Sequence, residues 1–281
     1  MLPAWIVLDP LLQSWLQEDL GRGDCTTQGL GEAAQGWGKA SWMAKAEGAI
    51  AGLPIAQRLF YLLDPRVQLS AEVSEGSEVH SGQLIASLEG PLASLLSGER
   101  VALNVAMRLS GIATTTHRYV SAIADLPAQL VDTRKTTPGL RVLEKYATNI
   151  GGARNHRMGL DDGVMIKDNH IAVAGGIGAA IKQVRDRIPY PLTIEVETES
   201  LEQVAEALAH GADIIMLDNM PVQTMREAVQ IIRRVEGVKS EASGNVTLET
   251  IRAIAETGVD YISSSAPITR SPWLDLSMRI D

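Results

Sequence analysis

The sequence predicts an α/β protein, in which a parallel α/β sheet or barrel follows a smaller α+β domain. Residues 1–110 mix short alternating strands with helices, whereas from about Leu130 to about Ser265 a strand is repeatedly followed by a helix. The chain has 281 residues, and 45% of them are hydrophobic. That is enough apolar material for the core of one large domain or two modest ones.

Residue periodicity predicts two strands and two helices in the amino-terminal part. The strands are Lys39–Ala49 and Val67–Val73, and the helices are Gly52–Leu63 and Pro91–Asp125, the latter with a break near Gly111. Met1–Leu12 is apolar, but no basic residue precedes it and Asp9-Pro10 interrupts it. We therefore expect a first helix there and not a signal peptide.

One amino-terminal segment, Glu75–Leu84, is similar to the hairpin of biotinyl and lipoyl carrier domains. Such a carrier needs a lysine at an exposed turn shortly afterwards, and Leu88–Pro91 contains none. We interpret the segment as a structural hairpin.

Six short apolar runs in the second part predict parallel strands. They are Leu130-Val131, Val164–Ile166, Leu192–Val196, Asp213–Leu217, Gly237-Val238 and Tyr261-Ile262. Amphipathic helices lie between them, such as Ser200–His210 and Leu248–Thr257, each followed by a glycine. Each run ends in polar or charged residues, and right-handed crossovers bring all such ends to one rim.

The basic residues of this rim predict a site for anions. The segment Asp132–His170 carries seven Lys or Arg against five Asp or Glu, a charge of +2, while the rest of the chain carries −11. Arginine's planar fork suits carboxylates and phosphates, and lysine adds a point charge. Arg134, Lys135 and Lys167 at the strand ends therefore indicate a substrate with more than one anionic group.

The acidic residues Glu195, Glu197 and Asp218 point to a cation. Alternation along Leu192–Glu197 places both glutamates on the face opposite Ile194 and Val196. Burying such a pair is costly without positive charge, which Mg²⁺ or the basic cluster could supply. The loops Ser243–Asn245 and Ser263–Ser265 offer N–H groups and hydroxyls for a phosphate.

Composition excludes several broad classes. The net charge of −9 argues against general binding of nucleic acid or an acidic membrane. Cys25 is the only cysteine, so intrachain disulfides and four-thiolate zinc sites are excluded. No apolar stretch approaches the roughly 18 residues needed to span a bilayer. We expect a cytoplasmic protein.

Several motifs resemble the quinolinate phosphoribosyltransferase family, in the right order and over nearly the whole chain. They are Glu18–Thr27, Gly98–Asn104, Asp132–Gly139, Asn155–Leu160, Ile166–His170, Leu217–Asn219 and Glu241–Gly244. The resemblance implies an incomplete α/β barrel over residues 111–270, preceded by an α+β domain over 1–110 that the carboxyl-terminal tail 271–281 joins.

The resemblance also implies a reaction and an assembly. Quinolinate and phosphoribosyl pyrophosphate would give nicotinate mononucleotide, pyrophosphate and CO₂ with Mg²⁺, in NAD biosynthesis. The protein would be a homodimer, or a hexamer built from such dimers, in which each amino-terminal domain covers its partner's active site.

Site residues follow from the matching motifs. The quinolinate carboxylates would be held by Arg134, His156, Arg157 and Lys167, with Arg100 from the partner. Thr133 would belong to the substrate site, and Lys135 would meet phosphate groups. Glu197 and Asp218 would hold Mg²⁺ and ribose hydroxyls. The 5-phosphate would lie on the loops Ser243-Gly244-Asn245 and Ser264-Ser265-Ala266.

This chain departs from the family pattern at two places. Lys45 stands where the family usually has an arginine, so a phosphate contact across the dimer would lose its bidentate geometry. Ser264-Ser265-Ala266 replaces a Val-Gly-Ala type of turn, and serine lacks the backbone freedom of glycine.

Four alternatives remain open at this level. The enzyme could be a related phosphoribosyltransferase for another pyridine, although the basic set favours a dicarboxylate. Lys167 could serve a Schiff-base aldolase. The fold could be a non-catalytic anion-binding protein. His156, Asp168 and His170 could form a transition-metal set, which Arg157 and Lys167 disfavour.

Overall fold

The structure is a computed structural model, and it describes residues 2–281. Within that range, no helix is both long enough and apolar enough to cross a membrane. The chain divides into two compact units, and each is described separately.

Eleven α-helices lie within the described residues. In chain order they are α1 Trp5–Leu20, α2 Cys25–Gly29, α3 Leu53–Leu63, α4 Leu92–Ser121, α5 Arg141–Ile150, α6 Asp168–Ala174, α7 Ile177–Arg185, α8 Leu201–Ala209, α9 Val222–Ile232, α10 Ile251–Ala255 and α11 Ala266–Thr269. α4 continues through Gly111, so the predicted break is wrong. A side chain at this position would meet the backbone of Pro272, which explains the glycine.

Twelve strands lie in the same range. They are β1 Trp37–Ala44, β2 Gly48–Ala49, β3 Gln68–Ala71, β4 Glu78–Val79, β5 Leu84–Pro91, β6 Gln129–Val131, β7 Val164–Ile166, β8 Ile194–Thr198, β9 Ile214–Asp218, β10 Lys239–Ser243, β11 Tyr261–Ser263 and β12 Leu276–Ile280. The predicted strand Lys39–Ala49 is thus two strands, β1 and β2.

The first unit comprises the residues up to His117 together with Val142–Gly152 and Ser271–Asp281. Its main sheet is antiparallel with the order β12-β1-β5-β3, so the carboxyl-terminal tail supplies an edge strand. Trp42 of β1 and Phe60 of α3 are fully buried and meet edge to face, with ring centroids 6.4 Å apart.

Two contacts explain why Val142–Gly152, most of α5, belongs to the first unit although it follows β6 in sequence. The carboxylate of Glu144, which is completely buried, lies 2.7 Å from the guanidinium of Arg108. The Tyr146 hydroxyl donates to Glu75 at 2.5 Å, and burial followed by this hydrogen bond raises the Tyr146 pKa. Arg108 and Glu75 are far from α5 in the sequence, so a local residue pattern cannot reveal these two contacts.

The predicted hairpin over Glu75–Leu84 is wrong. β4 pairs with β2, and β5 pairs with β1 and β3, so the two strands flanking the turn are not hydrogen-bonded to each other. Each strand finds a separate partner, which a local turn signal cannot show.

The second unit comprises Arg118–Arg141 and Ala153–Arg270. Its six strands are parallel, in the order β6-β11-β10-β9-β8-β7. β6 and β7 remain edge strands, so the barrel is incomplete and the predicted α/β class is confirmed. The apolar sides of α7, α8 and α9 pack with residues such as Ile194, Val196 and Ile215, which are fully buried.

The predicted strand Gly237-Val238 lies two residues too early. β10 is Lys239–Ser243, and it pairs in register with β9 from Lys239 opposite Ile214 to Ser243 opposite Asp218. Glu241 is therefore a buried residue within a strand and not part of the polar loop after it. Because Glu241 is charged, a search for apolar runs does not detect this part of the strand.

Candidate active site

The polar ends of the barrel strands line a cavity of about 710 Å³ that lies wholly in the second unit. Almost all residues predicted for the site line it. They are Thr133, Arg134, Lys135, His156, Arg157, Lys167, Glu197, Asp218, Ser243, Gly244, Asn245, Ser264, Ser265 and Ala266. The structure thus brings together side chains that are up to 133 positions apart in the sequence.

Two predicted residues belong to the first unit instead. Arg100 lies on α4 with an exposed guanidinium 3.8 Å from Glu99. Lys45 follows β1, its side chain is exposed, and its backbone N–H donates to the carbonyl oxygen of Asp275 at 2.9 Å. Their assignment to a partner's active site stays a prediction.

Arg134 and Lys135 occupy a tight turn directly after β6. The Lys135 N–H donates to Thr133 Oγ1 at 3.0 Å, and the Arg134 carbonyl accepts from the Thr136 N–H at 3.0 Å. This turn fixes the backbone and leaves the two exposed side chains to extend into the cavity. Thr133 therefore organises the turn through its hydroxyl.

Arg157 supplies a third cation to the cavity. Its Nη1 donates to the carbonyl oxygen of Gly163 at 2.9 Å, which fixes the guanidinium. Burial and then the neighbouring charge of Arg134 lower the pKa of Arg157. The guanidinium still remains protonated at neutral pH. Two arginines crowded in this way are stabilised when a multiply charged anion binds between them.

Lys167 and Glu197 form an ion pair at the ends of neighbouring strands. Lys167 Nζ lies 2.8 Å from Glu197 Oε2, and the parallel register pairs Ile166 with Val196 one residue before each of them. Asp218 closes β9, the next strand, and its Oδ2 accepts from Asn219 Nδ2 at 2.7 Å. A cation and two carboxylates thus share this part of the cavity.

A buried acidic group adjoins the cavity, and its member Glu241 lines the cavity together with His156. Glu195 and Glu241 are each 3% exposed, and the Nε2 atom of His156 lies 3.0 Å from one and 3.6 Å from the other. Burial and then the charge of Glu195 raise the pKa of Glu241. Alternation placed Glu195 on the inner face of the barrel, but the position of Glu241 was missed because β10 begins later than predicted.

The segment between β10 and α10 has the backbone of an anion cradle. Asn219, Gly244 and Asn245 have φ angles of 53°, 94° and 52°, in the left-handed region. Asn219 N–H donates to the Ser243 carbonyl at 2.9 Å, and Asn245 Nδ2 donates to Asn219 Oδ1 at 3.1 Å. The two asparagines therefore hold the Ser243–Asn245 loop in a conformation that exposes backbone N–H groups.

The second predicted phosphate loop uses its serines unequally. Ser264 is buried, its N–H donates to Val131 at 3.1 Å, and its hydroxyl accepts from the Ala266 N–H at 3.2 Å. Its polar groups thus serve the loop itself. Ser265 is half-buried, lines the cavity and directly precedes α11.

Arg270 is a cation of this cavity that the sequence did not indicate. It lies beyond the last strand, after α11, and lines the cavity together with Thr269 and Ala266. Its guanidinium forms no hydrogen bond or ion pair with other residues of the described chain 2–281. A repeated strand-end pattern could not find it, because it follows a helix.

Two alternatives from the sequence fit this geometry poorly. Lys167 Nζ is held by the Glu197 carboxylate at 2.8 Å, so it is not free to attack a carbonyl group as a Schiff-base lysine must. The cavity does not bring together His156, Asp168 and His170, because only His156 lines it. His170 Nδ1 accepts a hydrogen bond from the Lys167 N–H at 2.9 Å, and Asp168 Oδ1 accepts one from the Asn169 N–H.

An incomplete α/β barrel with five cations and three carboxyl groups around one cavity defines a protein that binds multiply charged anions. Two family models match the chain: the amino-terminal domain of quinolinate phosphoribosyl transferase over residues 24–110 and the carboxyl-terminal domain over 112–279. The chain belongs to the quinolinate phosphoribosyltransferase family.

Curated relatives and solved structures agree. A Synechocystis protein named "Probable nicotinate-nucleotide pyrophosphorylase (carboxylating)" is 61% identical over 99% of this chain and 94% of its own length. A protein of the same name from Bacillus subtilis is 47% identical over 97% and 93%. The crystal structure of NadC from Streptococcus pyogenes has a TM-score of 0.95 at 40% identity, covering 99% of this chain and 98% of that one.

Proposed function

We propose that this chain transfers the phosphoribosyl group of phosphoribosyl pyrophosphate to quinolinate and releases CO₂ and pyrophosphate, giving nicotinate mononucleotide for NAD biosynthesis. The observation that carries this proposal is one cavity lined by five cations, of which, among residues 2–281, only Lys167 has a carboxylate partner within 4 Å. A dicarboxylate, a 5-phosphate and a pyrophosphate supply the missing anions. The names of the relatives support the same reaction.

The cavity offers separate places for the two substrates. Arg134 and Arg157 suit the quinolinate carboxylates, because a guanidinium binds a carboxylate through two parallel hydrogen bonds. The loops at Ser243–Asn245 and Ser265 suit the 5-phosphate, and Lys135 suits the pyrophosphate. In this proposal the pyridine nitrogen would face the anomeric carbon beside Glu197 and Asp218.

Two bond changes follow. The carbon–oxygen bond to pyrophosphate breaks as the pyridine nitrogen attacks the anomeric carbon, and Glu197 and Asp218 stabilise the positive charge that develops on the ribose. Holding the nitrogen in line supplies much of the acceleration. The resulting pyridinium then accepts the electron pair of the carbon–carboxylate bond as CO₂ leaves, and a proton replaces the carboxylate on that carbon.

Glu197 and Asp218 fit a magnesium site. Each uses one carboxylate oxygen in a hydrogen bond, with Lys167 or with Asn219, and the second oxygen of each has no hydrogen bond to a described residue. Hard oxygen donors in small number suit Mg²⁺, which retains waters and binds substrate phosphates. The bound ion would neutralise charge on the leaving pyrophosphate.

Assembly and location complete the proposal. We expect a homodimer in the cytoplasm, in which Arg100 and Lys45 of one subunit reach the cavity of the other. Both side chains are exposed, as an intersubunit role requires. Mixing Arg100→Ala protein with Lys167→Ala protein and allowing subunits to exchange should restore part of the activity. No recovery after verified exchange would refute sharing of the site.

The reaction itself is tested with quinolinate labelled in its 2-carboxylate, phosphoribosyl pyrophosphate and Mg²⁺. Labelled CO₂ and nicotinate mononucleotide should appear in equal amounts. Nicotinate in place of quinolinate is the control, and equal turnover of both would contradict the proposal. Mn²⁺ binding followed by electron paramagnetic resonance should weaken in Glu197→Gln and Asp218→Asn, independently of activity.

A further inference from the structure

The group formed by His156, Glu195 and Glu241 has a role that neither the predicted chemistry nor the relatives' names supply. One ligand-type atom from each residue lies within 4.8 Å of the others. Both glutamates are buried; Glu241 and His156 line the cavity, whereas Glu195 lies behind them. The group therefore connects the barrel interior with the substrate site.

The hydrogen bonds of the imidazole define its tautomer. His156 Nδ1 accepts from the backbone N–H of Arg157 at 2.7 Å, so the ring proton lies on Nε2. Nε2 then lies 3.0 Å from Glu195 Oε2, in electrostatic contact with that buried carboxylate. Nδ1 is thus occupied by the backbone, and the contact of Nε2 with Glu195 orients the ring.

Residues 155–157 are also held by the carboxylate of Asp132. The His156 backbone N–H donates to Asp132 Oδ1 at 2.9 Å, and Asn155 Nδ2 donates to Asp132 Oδ2 at 2.7 Å. Asp132 is buried at the end of β6, and Glu195 lies on β8. Residues 155–157 are therefore fixed between two buried carboxylates, and Arg157 is fixed with them.

Within this group, the side chain of Glu241 is expected to be the neutral carboxylic acid. Its Oε1 and that of Glu195 are buried without a hydrogen-bond partner among residues 2–281. Two ionised carboxylates so close together and away from water repel each other strongly. One proton on Glu241 removes the repulsion and provides a donor, in agreement with its raised pKa.

A divalent cation explains the same atoms less well. The guanidinium of Arg157 interacts with the charge of Glu195, and Arg134 adds a second positive charge nearby. Both guanidinium groups would repel a metal ion. A proton only neutralises one of the two carboxylates and leaves no excess positive charge on the pair.

We propose that Glu195 is a positioning residue that orients His156 and thereby Arg157 for the dicarboxylate substrate, and that Glu241 assists as its protonated, neutral neighbour. The inference rests on the proposed function. It predicts that the two glutamates, although equally buried, respond differently to the same substitution.

The experiment compares Glu241→Gln, Glu195→Gln and Glu195→Met with the unchanged chain. Glutamine copies a neutral carboxylic acid, so Glu241→Gln should keep the quinolinate KM within about twofold. Glu195→Gln keeps an acceptor but loses its charge, and Glu195→Met loses the acceptor. We expect the quinolinate KM to rise in that order, about tenfold or more in Glu195→Met, with the KM for phosphoribosyl pyrophosphate little changed.

Several outcomes would overturn the inference. If Glu241→Gln is as impaired as Glu195→Gln, Glu241 is not neutral. Equal increases in both KM values would indicate a general structural role. A lower quinolinate KM in Glu195→Met would show that the carboxylate only repels the anionic substrate. One equivalent of metal in the purified protein that is lost in Glu195→Met would identify a metal site.

A spectroscopic measurement separates this inference from the reaction. In ¹⁵N-histidine-labelled protein, the His156 signals are identified because they are missing from the spectrum of the His156→Asn variant. They should show an unprotonated Nδ1 and a protonated Nε2. The substitution Glu195→Met should shift them. A protonated Nδ1 would refute the hydrogen-bond network even if quinolinate is turned over. Failure of the unchanged chain to turn over quinolinate, with this spectrum as expected, would refute only the proposed reaction.

Discussion

Lys167 Nζ lies 2.8 Å from Glu197 Oε2 across the neighbouring strands β7 and β8. The pair is only partly exposed, and both residues line the cavity. Each charge is therefore available to substrate while being held in place by the other. The ammonium suits an anionic group, and the carboxylate remains beside the position at which positive charge develops.

Lys167→Met should reduce kcat/KM by about 10²-fold or more, because a preorganised charge at the reacting centre is removed. Circular dichroism should show an unchanged fold. Lys182→Met is the matched control, since Lys182 forms an exposed pair with Asp186 at 2.7 Å on α7. The control should keep full activity. Normal activity of Lys167→Met would remove Lys167 from the site.

Arg270→Ala should raise the KM for phosphoribosyl pyrophosphate about tenfold while changing the quinolinate KM little. The reason is its place beside Ala266, where the second phosphate loop lines the cavity. Arg226→Ala, at an exposed position of α9, removes the same charge away from the cavity and should have no effect. A larger effect on quinolinate would place Arg270 among the dicarboxylate ligands.

Gly244→Ala should lower both stability and affinity for phosphoribosyl pyrophosphate. Gly244 has φ of 94°, and an added methyl group would meet the side chain of Asn219. Gly211→Ala is the control, because Gly211 has φ of 80° but open space around it. Both variants should lose about 1 kcal/mol of unfolding free energy from backbone strain, and only Gly244→Ala should lose affinity. Equal substrate affinity in both would separate the loop from phosphate binding.

Asp64→Asn should destabilise the protein in a manner that depends on pH. Arg66, at 2.8 Å, and Ser94 lower the pKa of Asp64 below its ordinary value of 3.8. A carboxylate with a lowered pKa stabilises the folded state above the unfolded value, and this stabilisation is lost as the pH falls through the folded value.

The melting temperature of Asp64→Asn should therefore lie below that of the unchanged chain at pH 7, and the difference should shrink as the pH falls below 3.8. Asp19→Asn, at an exposed position on α1, is the control and should leave the melting temperature at pH 7 unchanged. A constant difference at all pH values would attribute the loss to packing and not to charge.

The barrel strands and most of the cavity residues were predictable because both depend on local sequence. An apolar run followed by a polar residue marks a strand end wherever it occurs, and the parallel arrangement then collects those ends. Arg134, Lys167 and Asp218 could be placed in one site without knowledge of the strand order.

The buried acidic group could not be predicted in the same way. Glu195 is on β8 and Glu241 is on β10, with β9 between them, and their relation depends on sheet order and register. Arg270 follows a helix, and α5 is fixed by Arg108, 36 positions from Glu144. Each of these relationships is a long-range contact for which no local pattern exists.

The pairing of β12 with β1 has a consequence for synthesis on the ribosome. The edge of β1 stays without its partner until residues 276–280 have left the exit tunnel, after the barrel sequence has been translated. During that interval the unpaired edge could join strands of other nascent chains. Shortening the chain before Leu276 should therefore favour aggregation during expression, although every residue of the barrel cavity would still be present.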